Sequence, residues 1–311
     1  MSRLSAYRTV SGRRALNPPA VACDVPSPAT GASEPMHVFE TPGSVSLQVK
    51  LPSGRVLVTT ADEPRTTVEV VAVGRRGQDA IDEIEVTMEE RLGRYVVKVE
   101  QKDRFRWGPI QITWGGDFEC RVVCPPETDL DFAGGSTDLR ADGELGEVSV
   151  RTASGDIRLE SVLRDLQVKT ASGDISVDTI ASQASLVTVS GDLGVERADA
   201  SLTARSVSGD VTIGSVSGEL GLSTTSGDVD VKAVLGGDVR VQTVSGDVRI
   251  GIARGTRTWI DAASVSGRLD SELGLEDQEP SAETGDAVVP LHVKTVSGDV
   301  SIVRSAATYS A

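Results

Sequence analysis

The chain has 311 residues, 39% of them apolar but only 3% aromatic, and a formal charge of −15. That apolar content can supply a core, but one without large rings is filled by Val, Ile, Leu and Ala, as in the narrow interiors of repeat proteins. The acidity repels phosphate backbones and anionic lipid surfaces, so nucleic acid is not an expected partner.

Residues 1–35 are rich in Ser, Ala, Pro and Arg without periodicity and read as a disordered leader, with Met36 a candidate start. The arginines Arg3, Arg8, Arg13 and Arg14 are not followed by the apolar stretch of an export signal. No apolar run approaches the ~20 residues of a transmembrane helix. The expected location is the cytoplasm. Cysteine usage agrees with a reducing compartment: Cys23 stands alone, and Cys120 and Cys124 lie four apart in a strand-like run. Such residues are roughly 13 Å apart, beyond the reach of a disulfide.

Residues 36–132 read as a β region of irregular strands. Ser44–Leu51 alternates, Pro52–Gly54 turns, and Arg55–Thr60 and Thr67–Val73 follow as strands. Glu83–Met88 and Arg94–Glu100 flank Arg91–Gly93 in a hairpin signature. Residues 78–83 suit one short helical turn and 103–108 a loop.

Residues 133–305 are a repeat. Ser-Gly-Asp occurs with its aspartate at Asp156, Asp174, Asp192, Asp210, Asp228, Asp247 and Asp299, the first five at intervals of 18 and the next at 19. Ser217–Glu219 and Gly236–Asp238 are weaker copies between these, so the unit is about nine residues and a coil is 18. The first and third residues after each aspartate are apolar, as in Ile157 and Leu159 or Val211 and Ile213. That alternation predicts short strands with one buried face, which only stacking can cover. A Thr or Ser stands two residues before each Ser-Gly-Asp, at Thr152, Thr170, Thr188, Ser206, Thr224, Thr243 and Thr295. Stacking predicts a Thr/Ser ladder and an Asp ladder, with Gly supplying a positive φ and each Asp closing its own turn. The pattern breaks at 251–267, which carries Trp259 (read as a cap) and the variant Ser266–Arg268. Residues 270–286 form an acidic loop, Pro290 begins the re-entry into the repeat, and 306–311 are a tail. The expected fold is all-β: a β-solenoid of nine-residue half-coils preceded by an irregular β region.

No catalytic, cofactor-binding or metal-binding residue is assigned. Calcium-binding β-rolls use Gly-Gly-x-Gly-x-Asp, whereas here one Gly precedes Asp directly. The histidines are His37 and His292, neither in a nucleophile motif, and Arg104, Arg106 and Trp107 make only a small polar-aromatic knot. No phosphate-cradling glycine loop is present.

The repeats 243–250 and 295–302, together with Phe39–Gly43 and Gly255–Gly267, carry a resemblance. The chain resembles the bacterial β-strand repeat family called domain of unknown function 4097, also labelled "putative adhesin", over roughly residues 36–305. The resemblance implies a β-repeat fold and no catalytic residues; a surface location follows from it only by analogy. The leading expectation is a non-enzymatic binding or scaffold protein, its partner another protein or itself. The alternatives are a self-assembling cytoskeletal or envelope-associated solenoid and a carbohydrate-active β-helix enzyme.

Overall fold

A computed structural model describes residues 36–74, 81–101, 106–107, 110–111, 117–273 and 288–308. The expected leader, most of the acidic loop and most of the 103–108 loop lie outside the described residues. The protein is all-β. Its strands are β1 (His37–Glu40), β2 (Val45–Thr60), β3 (Arg65–Val73), β4 (Ile84–Arg91), β5 (Arg94–Gln101), β6 (Arg106–Trp107), β7 (Ile110–Gln111), β8 (Asp117–Cys124) and β9 (Thr128–Ser154). The coils follow as pairs: β10 (Ile157–Val162) and β11 (Leu166–Ser172), β12 (Ile175–Ile180) and β13 (Ala184–Val187), β14 (Leu193–Ala198) and β15 (Leu202–Arg205). Next come β16 (Val211–Val216) and β17 (Leu220–Ser223), β18 (Val229–Val234) and β19 (Val239–Gln242). The chain ends with β20 (Val248–Arg254), β21 (Arg257–Ser266), β22 (Leu269–Ser271), β23 (Val288–Ser297) and β24 (Val300–Thr308).

The coils stack in parallel, each strand bonded to its equivalent one coil away. Ile157 sits on Ile175, Ile175 on Leu193 and Leu193 on Val211, while Leu166 sits on Ala184 and Ala184 on Leu202. Alternation places Ile157, Leu159 and Val162 inside with Arg158 and Glu160 outside, and later coils repeat the pattern. The interior is a continuous column of Val, Ile, Leu and Ala; each fully buried Val, Leu or Ile contributes roughly 1.5–3 kcal/mol. The extra residue of the 19-residue interval is taken up at Gly237, whose φ of +82° lets Val239 still fall on Leu220.

The N-terminal strands join this stack. β2 pairs in parallel with β9 from Ser46 to Thr59, and β9 runs unbroken through residues 132 and 133. On the other side of β2 lie β5 and β8, also parallel to it. Antiparallel strands then cover that layer, β4 on β5, β3 on β8 and β1 on β3. The β4–β5 turn is the expected hairpin, with Leu92 and Gly93 at φ +54° and +77°. Phe118 and Phe132 are the large rings fully buried here.

At the far end the stack leaves chain order. β23 and β24 lie between β19/β20 on one side and β21/β22 on the other. The Trp259 coil is therefore outermost, and the later residues fill the layer beneath it. Asp299 stacks on Asp247, a step of 52 residues rather than 18.

Candidate functional site

The recurring Ser-Gly-Asp corner is the feature the fold repeats most strictly, and each of its residues has a separate task. Glycines 155, 173, 191, 209, 227, 246 and 298 have φ between +111° and +142°. A Cβ on Gly209 would lie 2.2 Å from the carbonyl oxygen of Gly191 in the preceding coil, and the other six would meet a carbonyl oxygen at 2.0–2.3 Å. Glycine is needed twice over, for its backbone conformation and for its closeness to the next layer. The residue two before the motif is buried; in six of the seven repeats its hydroxyl donates to the carbonyl of the motif's own Ser, from Thr170 to Ser172 at 2.8 Å and from Thr188 to Ser190 at 3.3 Å, the exception being Thr295. This hydroxyl closes the turn.

The aspartates do something else, which corrects the expectation that each closes its own turn. Asp156 Oδ1 accepts the backbone N–H of Asp174 at 3.0 Å, Asp174 that of Asp192 at 2.8 Å, and Asp192 that of Asp210 at 2.9 Å. The bonds continue from Asp228 to Asp210 and from Asp247 to Asp228, each at 2.8 Å. Parallel strands lie about 4.8 Å apart, so a short carboxylate reaches the next layer's amide. The ladder is directional and begins one coil before the first Ser-Gly-Asp, at Asp138 in Ser136–Asp138, whose Oδ1 takes the amide of Asp156 at 3.1 Å. Neighbouring carboxylates about 5 Å apart repel by about 0.8 kcal/mol in water-like surroundings. A hydrogen bond to a charged group contributes about 1.5 kcal/mol or more and outweighs that repulsion.

Arginine ends the ladder on both sides. Arg55, in the corner Ser53–Arg55, pairs in register with Asp138 and places its guanidinium 3.8 Å from Asp138 Oδ2. Arg268, in Ser266–Arg268, donates its backbone N–H to Asp299 Oδ1 at 2.8 Å. Arg268 offers no carboxylate to a further layer.

Beside the ladder runs an apolar row. Val189, Val207, Val244 and Val296 each precede the Ser of a corner and are 49–50% exposed; Val265 holds the same place in the outermost coil at 82%. Ala153, Ala171 and Thr225 complete the row and are exposed. Sequence reasoning did not single these residues out, because one Val in a turn flank looks like ordinary strand preference; their identical place in successive repeats was the available signal.

The other candidates stay dispersed. His37 stacks on Phe39 in β1, with ring centroids 6.3 Å apart. His292 Nδ1 lies 3.3 Å from Asp261 Oδ2, and its ring meets Trp259 edge-on at 5.3 Å. Among the described residues neither histidine is hydrogen-bonded to a serine. Cys120 and Cys124 are buried free thiols, and burial pushes their pKa values up to about 12 and about 11. Neither has the thiolate character of a nucleophile or metal ligand. Among the described residues no cluster of three or more His, Cys, Asp and Glu is arranged to hold a metal ion. Arg104 lies outside the described residues, and Arg106 and Trp107 form the short ribbon β6 with β7. No helix among the described residues is long and apolar enough to cross a membrane.

A family model described as Toastrack DUF4097 matches residues 47–303. Comparison with curated proteins gives no match. Among solved structures, a "putative adhesin" from Bacteroides fragilis is similar at 12% identity and TM-score 0.43, covering 86% of this chain and 95% of its own. A "putative lipid binding protein" from Parabacteroides distasonis is similar at 11% identity and TM-score 0.45, covering 88% and 98%. A "putative adhesin" from the same organism is similar at 12% identity and TM-score 0.34, covering 86% and 96%.

Proposed function

The chain belongs to the Toastrack DUF4097 family, and on that premise we propose that it is a non-catalytic binding or scaffold protein working through its Ser-Gly-Asp edge. One observation carries this reading. Of the eleven large apolar side chains exposed among the described residues, five occupy a single repeat position on that edge. Scattered exposed valines need no explanation, whereas an aligned row beside a charged ladder has the make-up of an interaction surface. The corner itself does not require them, since Ala153 and Ala171 fill the same place.

Dispersal of the histidines and high thiol pKa values support the non-enzymatic part of the reading. Cytoplasmic residence belongs to the same proposal, supported by thiols that are buried and unpaired. The Arg268 corner argues against end-to-end filaments, because the carboxylate that bonds one coil to the next is missing there.

The edge is tested by immobilising the full chain and its Val207→Glu/Val244→Glu variant and exposing both to lysate of the native cell. The reading expects proteins retained by the parent chain and lost by the variant. Identical retention on both would overturn it.

A further inference from the structure

We propose that the occupant of the Ser-Gly-Asp edge is a second copy of the chain, lying alongside in parallel with equivalent coils in register. This rests on the reading of that edge as the working surface and adds the identity of its partner.

Three rows cross the edge. The middle one is apolar, running through Val189, Val207, Val244, Val296 and Val265. On one side is the aspartate ladder. On the other are the outward residues just before each buried Thr or Ser, basic in four of the seven coils (Arg151, Lys169, Arg205 and Lys294) and uncharged in the other three. Arg151 has a carboxylate 3.7 Å away in Asp131, whereas the side chains of Lys169, Arg205 and Lys294 have no hydrogen-bond or ion-pair partner among the described residues. The edge therefore reads cationic, apolar, anionic from side to side.

That order is self-complementary under one symmetry. A two-fold axis running along the solenoid lays Val on Val and brings each copy's basic row over the other's aspartates. An axis across the solenoid also lays Val on Val but sets ladder against ladder. Charge selects the parallel pair.

Spacing selects the same partner. Both copies repeat every ~4.8 Å, so contacts made at one coil recur without drift at every other. A helix repeats every ~5.4 Å and side chains on one face of a strand every ~6.7 Å, so either would slip out of register within a few coils. Eight rows give a strip about 34 Å long. Three side chains wide, the strip buries on the order of 500 Å² per copy, at the low end of specific interfaces, with an expected dissociation constant on the order of 10 µM.

Sedimentation equilibrium of the full chain over a concentration series reads this directly. A reversible monomer–dimer equilibrium is expected, with Val207→Glu/Val244→Glu monomeric while its circular dichroism is unchanged. Orientation is read by mild oxidation of Val207→Cys and Val296→Cys, each alone in a Cys23→Ser background; buried Cys120 and Cys124 do not compete. Each variant should form a disulfide-linked pair with itself, and a mixture of Val189→Cys with Val244→Cys should give no mixed product. A monomer at about 300 µM, far above the expected constant, would overturn the second-copy proposal, as would predominantly mixed cross-links. A monomeric chain that still distinguishes the parent and variant in lysate would leave the edge itself standing.

Discussion

Each coil turns twice, and the two corners obey different rules. At the near corner the sequence is Ser-Gly-Asp coil after coil. At the far corner Arg164, Ser182, Ala200 and Gly218 succeed one another at one position. Both corners are bonded by the backbone to the coil below; at the far one Ala181 N–H donates to Val162 and Asp199 N–H to Ile180. The difference lies in backbone conformation. At the near corner every Ser-Gly-Asp glycine has a positive φ, while at the far corner Arg164, Ser182, Ala200 and Gly218 do not, and the close approach of Gly218 to Ala200 occurs there without it. Backbone pairing alone leaves a corner free to vary; a positive φ combined with close approach fixes it as glycine. The valines beside the near corner meet neither constraint, which is why their alignment calls for a separate cause.

The largest effect expected from this contrast is at Gly209. Gly209→Val puts a branched side chain at φ +122° with its Cβ 2.2 Å from the Gly191 carbonyl oxygen. It should cost about 3 kcal/mol or more in urea denaturation. Ser182→Ala at the far corner, losing one exposed hydrogen bond to Asp165, should stay within about 0.5 kcal/mol. Comparable losses at the two corners would break the distinction. A smaller effect sharpens it. Asp192→Asn and Asp192→Ala remove the same charge, but only asparagine keeps an acceptor for the Asp210 amide. The asparagine protein should be more stable than the alanine protein by about 1 kcal/mol, and equal stabilities would leave the carboxylate no role between coils.

Strand faces were legible in the sequence because alternation decides them: Ile157, Leu159 and Val162 face inward as their spacing requires. Thr188 as a buried ladder member was legible for the same reason. The partner of each aspartate was not, since an Asp beside a Gly is equally suited to its own turn and to the next layer. Only the stacking distance decides between them, and that is set by the backbone. The order of the last coils was hidden too. Val248 stacks on Val300 rather than on the segment that follows it, because the later residues carry the stronger repeat and fill the inner layer. In the N-terminal coils no period was visible, since β5 and β8, from separate stretches, together make one layer on β2. The corner Ser53–Arg55 looked like an isolated turn for that reason, although Gly54 has the φ of +115° and the close carbonyl of the later corners.

The aspartates bond coil to coil in one direction. Amide hydrogen exchange in Asp192→Ala tests this most directly. Asp210 N–H, which loses its acceptor, should exchange at least about tenfold faster, the ratio for about 1.4 kcal/mol of lost protection. Residue 192's own amide, still held by Asp174 Oδ1, should keep its protection. Unchanged exchange at Asp210, with protection lost instead within the turn around residue 192, would contradict the ladder.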